Sequence, residues 1–231
     1  MTIDYIEALG LLEHAGIRVV RAKYVDSAQD AVAFATRREA RDPRVVPIVL
    51  SNVPREGAIP GHRAAPVQAL QSGPAITAAY ERLAAADESR EQRILAWEYI
   101  APGTDIALAY RVDDLGKAYL ELRSGEHGTE QLLPIDETGA RMLVEHMLAH
   151  DHRVRSEKSR RMLEHLVLRV CGLLDEFPIN ALELDPVRLH ENSYTVLGAL
   201  LTAPMHLRVG KRLANHAHDR KAHGYRPGGR Q

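Results

Sequence analysis

The sequence predicts an α/β (α+β) protein, and three features of the chain carry that expectation. Helix-period and strand-like apolar runs alternate through the first fifty residues. Three strand-length runs then follow one another between Ile94 and Leu122, separated by turn residues. Two amphipathic helical stretches and a last pair of short strands complete the pattern.

Taken in order, Ile6, Leu9, Leu12 and Ala15 recur at helical spacing, and Gly16 stops that helix. Ile17 to Val20 reads as a strand. Asp26 or Ser27 caps a second helix whose buried face is expected to hold Ala28, Val32 and Ala35. Val45 to Leu50 is rich in β-branched residues and reads as a strand. From Asn52 to Ala65, Pro54, Gly57 and Pro60-Gly61 mark a loop. Val67 to Leu70 suits a short strand, and Pro74 opens a helix carrying Ile76, Tyr80 and Leu83.

Ile94 to Ile100, Ile106 to Val112 and Ala118 to Leu122 are the next strands. The Pro102-Gly103 and Asp114-Leu115-Gly116 breaks between them predict an antiparallel meander. A glycine-bearing loop follows at Ser124 to Thr129. Asp136 caps a helix to about His150, and a helix starting near Ser156 runs to Leu174. Asn180 to Leu184 and Tyr194 to Leu197 form the last strand pair. One domain over residues 1–210 is expected, with a basic, histidine-bearing, partly disordered tail over 211–231.

Composition narrows the classes of function. The 231 residues are 45% hydrophobic and 26% charged, as in ordinary globular proteins. A net charge of -1 and a pI near 6.9 give no global attraction to nucleic acid or anionic membrane. The basic stretches Arg153 to Arg161 and Lys211 to Arg230 lack interleaved aromatic residues, so no nucleic-acid partner is expected. No secretory leader or membrane-length apolar run is evident, and a cytoplasmic location is expected. Cys171 is the single cysteine; an internal disulfide is excluded and a packed thiol expected.

Three motifs occur in a particular order. The first is Ala15-Gly16-Ile17-Arg18-Val19 with the helix from Ser27. The second runs from Ile94 through Trp97-Glu98-Tyr99-Ile100-Ala101-Pro102-Gly103-Thr104-Asp105. The third is Phe177-Pro178-Ile179-Asn180-Ala181-Leu182-Glu183-Leu184-Asp185-Pro186. In this order they resemble the ATP-grasp domain of NDP-forming acyl-CoA synthetases, relatives of the succinyl-CoA synthetase β subunit. The likeness covers about residues 3 to 200, and Leu132-Leu133-Pro134-Ile135-Asp136 also matches in position.

The resemblance implies two lobes enclosing ATP in a cleft, with Mg²⁺ neutralising phosphate oxygens during phosphoryl transfer. It also implies a CoA-binding partner carrying a phosphohistidine, in a homo- or hetero-oligomer. Glu183 and Asp185 are the implied metal ligands, since strand residues two apart face the same side and Mg²⁺ prefers oxygen donors. Asp185 stands where the family usually has Asn. Glu98, Tyr99 and Asp105 lie in the segment that holds nucleoside in the family, and His62 with Arg63 stand in for its phosphate-contacting His-Lys pair.

Five departures predict impaired catalysis. Ser51-Asn52 replaces a phosphate-reaching lysine, a loss that usually costs several kcal/mol. The loop around Gly61 to Pro66 lacks the family's glycine pair, and the segment around Arg123 to Glu126 is poorer in glycine. Gly198 stands where a second metal-binding acid belongs. His152-Arg153-Val154-Arg155 is a poor substitute for an arginine-and-glycine loop. The expectation is therefore an impaired ligase-type subunit, with a non-catalytic scaffold or regulatory module as the alternative. A third, weaker reading is a metal protein using His146, His150 and His152, or His216, His218 and His223; no acid or cysteine completes such a set.

Overall fold

In the computed structural model, residues 1–39, 42–54, 68–86, 92–150 and 156–204 are described. His62, Arg63, the 55–67 loop, the 151–155 segment and the basic tail lie outside them.

Two sheets organise the chain. The smaller has the order β1-β5-β4, from Ala22–Val25, Gln92–Glu98 and Ile48–Pro54, and is antiparallel throughout. The larger has the order β10-β9-β6-β7-β8, from Ser193–Val196, Ala181–His190, Thr104–Val112, Ala118–Ser124 and His127–Leu132. β11 (Ala199–Thr202) also pairs with β9, beside β10 on the same edge. A short hairpin joins β2 (Thr36–Glu39) to β3 (Asp42–Val45).

Helix α1 (Tyr5–His14) starts at Asp4, whose side chain accepts from the Ile6 N–H, and stops at Gly16 with φ of 75°. Its buried face carries Tyr5, Ala8, Leu9, Leu11 and Leu12. Helix α2 (Ala28–Ala35) is capped by Ser27 and buries Ala31 and Ala35. With α3 (Gly73–Ala86) it covers one side of the small sheet, packing Ile76 against Val25, Ile48 and Ala96. Helices α4 (Glu137–His150) and α5 (Glu157–Glu176) pack together and cover one side of the large sheet.

The main core joins both sheets. Leu143, Val144 and Met147 of α4 and Leu163, Leu166, Val167 and Val170 of α5 meet Ile106, Leu108, Leu120, Leu122, Leu182 and Leu184. The same cluster reaches Val49, Val53, Leu95 and Trp97, the side of the small sheet turned away from α2 and α3. Cys171 belongs to this core, and burial, helped by Asp175, pushes its thiol up to about 11. It is a packing residue.

Several boundaries differ from expectation. Ile17 and Val20 are buried, but the first strand of the small sheet is the more polar Ala22–Val25; Val19 makes only a single bridge to Val196. Apolar burial alone produced the strand signal there. The expected loop from Asn52 is strand as far as Pro54, which pairs with Gln92. The expected three-strand meander splits: β5 joins the small sheet, and the continuous meander is β6-β7-β8. The glycine-bearing loop after Ser124 is a tight hairpin in which Ser124 pairs with His127 and Gly125 takes a φ of 60°. No helix among the described residues is long and apolar enough to cross a membrane.

Candidate functional site

The candidate site grows from the pleat of the large sheet. In β9 the buried residues Leu182 and Leu184 alternate with the half-buried Glu183 and Asp185. In β7 Leu120 and Leu122 alternate with Glu121 and Arg123 in the same way. Ile106 and Leu108 of β6 point into the helical core, so Ala107 and Ala109 lie on the face turned away from α4 and α5.

Register aligns these residues across the strands. Glu121 of β7 pairs with Ala109 of β6, which pairs with Glu183 of β9. One row along, Arg123 pairs with Ala107, and the bulge between Ile106 and Leu108 brings Asp185 alongside. Two small residues therefore form a floor, with long charged side chains on both sides. Gly128 of β8 adds room: a Cβ there would stand 3.2 Å from Glu121 Oε1 and 3.8 Å from Arg123 Cγ.

The two implied metal ligands thus share one face, as the sequence suggested. The charge beside them was not anticipated. Arg123 Nη2 lies 3.6 Å from Asp185 Oδ2, and the Asp185 side chain is only 13% exposed. A carboxylate that well covered requires a compensating charge, and here a guanidinium provides it. The strand pattern could have revealed the pair, because Glu121 and Arg123 alternate with Leu120 and Leu122.

The other candidate acids also meet arginines. Asp105, at the start of β6, pairs in register with Arg188 of β9. Arg188 Nε and Nη2 donate to the two Asp105 oxygens, each at 2.8 Å, while Nη1 donates to the Ile100 carbonyl at 3.1 Å. Asp105 holds the Arg188 guanidinium even more firmly protonated than usual. This grip seats the Pro102-Gly103 bend against β9, where a Cβ on Gly103 would fall 2.3 Å from the Leu189 carbonyl oxygen.

Glu98 ends β5 on the side that carries Ala96 and α2. Arg21 Nε is 3.9 Å from its carboxylate, and Arg21 also stacks 4.2 Å from the centre of the Phe34 ring. The Tyr99 N–H donates to the Pro47 carbonyl at 2.8 Å, so that amide is already used by the fold. The structure therefore brings Glu183 and Asp185 together, sets Asp105 further along the same sheet, and turns Glu98 toward the helices of the small sheet. Ser51, where the resemblance implies a lysine, lies on the same side of β4 as Val49 and Val53, and its hydroxyl donates to the Asn52 carbonyl.

The donor set can be tested against magnesium. Among the described residues no group of three His, Cys, Asp or Glu side chains could hold a metal ion. A divalent ion on Asp185 would also stand within about 6 Å of the Arg123 guanidinium. At an effective dielectric of ~20, that repulsion is on the order of 5 kcal/mol. Gly198 offers no second acid: its carbonyl accepts from the Asp185 N–H at 3.1 Å. These residues do not fit a magnesium site. His146 lies on α4, and the remaining histidines of the third reading are outside the described side chains.

Neither a family profile nor a curated protein matches the sequence. Solved structures do. The dinucleotide forming acetyl-coenzyme A synthetase 1 of Ca. Korarchaeum cryptofilum, in complex with coenzyme A, acetyl-coenzyme A and a phosphorylated phosphohistidine segment, is similar with a TM-score of 0.71. Identity is 18%, over 88% of this chain and 93% of that one. The same synthetase with coenzyme A and Mg-AMPPCP gives 0.67 at 16% identity, over 88% and 93%. PH1788 from Pyrococcus horikoshii gives 0.66 at 17% identity, over 88% and 92%. The likeness establishes the fold: the chain has the ATP-grasp-like α+β architecture that its motifs resemble.

Proposed function

We propose that this chain is an ATP-grasp-like nucleotide-binding subunit of acyl-CoA synthetase type whose own phosphoryl-transfer machinery is impaired. It would act with a separate CoA-binding partner that carries a phosphohistidine. The observation that supports this reading most directly is the face of the large sheet where Glu183 and Asp185 stand beside the small-residue floor of Ala107 and Ala109. The similar synthetase carries coenzyme A, a phosphohistidine segment and a nucleotide analogue on the same fold.

The roles follow from the chemistry of each group. Glu183 and Asp185 would orient a ligand through hydrogen bonds, and Arg123 would meet its anionic part. The Ile100 to Asp105 segment, fixed by Arg188, would form a rigid wall for the nucleoside. His62 and Arg63 would contact phosphate. The side chains around Asp185 do not suit magnesium. Phosphoryl transfer depends on charge stabilisation at the phosphate oxygens, so loss of both lysine and metal leaves binding without efficient turnover.

The second reading, a scaffold with no nucleotide at all, is favoured by the same Arg123–Asp185 pair if that pair is purely structural. Isothermal titration of ATP into the full chain separates the two. Saturable one-site heat without phosphate release supports the proposal. A folded chain giving no heat with ATP or ADP supports the scaffold, and steady phosphate release would contradict impairment.

A further inference from the structure

We infer that Arg123 occupies, electrostatically, the place of the divalent cation, so that the carboxylates of this face hold no metal ion. The inference deepens the proposed nucleotide reading and rests on it for the identity of the ligand. The arginine itself is read from geometry alone.

Asp185 is a mostly covered carboxylate at the centre of the large sheet, and its neighbour on the same face is Glu183. Glu121 adds a third carboxylate on that face, across Ala109 from Glu183. Such a collection of negative charge is stabilised either by a bound cation or by a cationic side chain. The chain uses Arg123, 3.6 Å from Asp185. Gly128 leaves the space over β8 in which the Glu121 and Arg123 side chains lie.

The exchange changes what the site can do. A magnesium ion must be recruited together with its phosphate ligand, demands near-octahedral oxygen donors and keeps several waters. A guanidinium is permanently charged, covalently attached, and presents a planar fork of N–H donors suited to phosphate or carboxylate oxygens. With about a third of its side chain exposed, Arg123 can be steadied by Asp185 while directing other donors toward a ligand.

The test uses Mn²⁺ as the probe, followed by paramagnetic resonance, on the full chain without nucleotide. The wild-type chain is expected to show no Mn²⁺ binding that Asp185→Asn removes. Arg123→Gln, checked for native circular dichroism, is expected to gain at least tenfold in Mn²⁺ affinity, a gain lost in the double variant with Asp185→Asn. Failure of Arg123→Gln to gain would overturn the inference, because the arginine would then not be what keeps the ion out. Stoichiometric wild-type binding lost in Asp185→Asn would overturn it as well, and that arm needs no folded arginine variant. A parallel ATP titration in EDTA keeps the two ideas apart. Unchanged ATP heat supports both, heat that requires Mg²⁺ overturns this inference alone, and no heat in either buffer removes the nucleotide reading while the Mn²⁺ arms still decide the role of Arg123.

Discussion

Arg188 holds Asp105 by two parallel hydrogen bonds of 2.8 Å, one to each carboxylate oxygen, across the β6–β9 ladder. The same guanidinium takes the Ile100 carbonyl, so a single side chain fixes both ends of the bend between the small and large sheets. A planar fork suits this task and an ammonium does not. Arg188→Ala is expected to cost about 2 kcal/mol, discounted for the partial exposure of Asp105. Arg188→Lys should recover less than half of that. Urea unfolding midpoints of the three proteins check the order.

Two glycines should respond in opposite directions to the same substitution. Gly103→Ala places a methyl carbon 2.3 Å from the Leu189 carbonyl oxygen, which is backbone and cannot rotate away. A loss of about 2–3 kcal/mol is expected as the bend shifts off β9. Gly172 lies inside α5 with nothing within 4 Å of the added carbon. Gly172→Ala should therefore stabilise by about 0.5–1 kcal/mol through helix propensity. Thermal melts of both variants are sufficient, and equal shifts would contradict the packing described here.

Alkaline pH should weaken the attachment of α1 to the small sheet. The Tyr24 hydroxyl donates to Asp4 Oδ2 at 3.0 Å, and burial, followed by the Asp4 charge and that hydrogen bond, raises the phenol to about 12. Between about pH 10 and 12 the unfolded chain releases this proton while the folded chain keeps it, so stability falls as pH rises. Below pH 10 both states are protonated and the contribution is fully present. Tyr24→Phe should show a shallower fall in melting temperature from pH 9 to 11 than the wild type. Buried Tyr5, whose hydroxyl donates to the Leu197 carbonyl, together with Cys171 and Tyr194, which burial also raises, adds slope of the same sign.

Much of this architecture was legible in the sequence, because helix periodicity and caps act locally. Ser27 and Ser156 do cap their helices, and Gly16 does terminate α1. The strands were less legible. Ile17 to Val20 carries the apolar signal, yet Ile17 and Val20 are buried without a ladder, and the pairing falls to Ala22–Val25. Whether β5 continues into the meander or joins another sheet is a tertiary choice that no local run encodes.

The site was legible in part. Alternation places Glu183 and Asp185 on one face, and the structure has them there. The counter-charge of Asp185 comes from Arg123, more than sixty positions away in sequence, through a register that only the folded β6 provides. The same holds for Arg188 with Asp105 and for Arg21 with Glu98. Motif reading identifies acids that could bind a ligand, and long-range pairing decides which charges they already meet.

Amide chemical shifts of the ¹⁵N-labelled full chain, followed through an ATP titration in EDTA, locate the ligand on the face of the large sheet. Perturbations should concentrate at Ile100 to Asp105, Glu121 to Arg123 and Glu183 to Asp185. Shifts confined to α2 and α3, or a spectrum unchanged at millimolar ATP, would contradict the assignment.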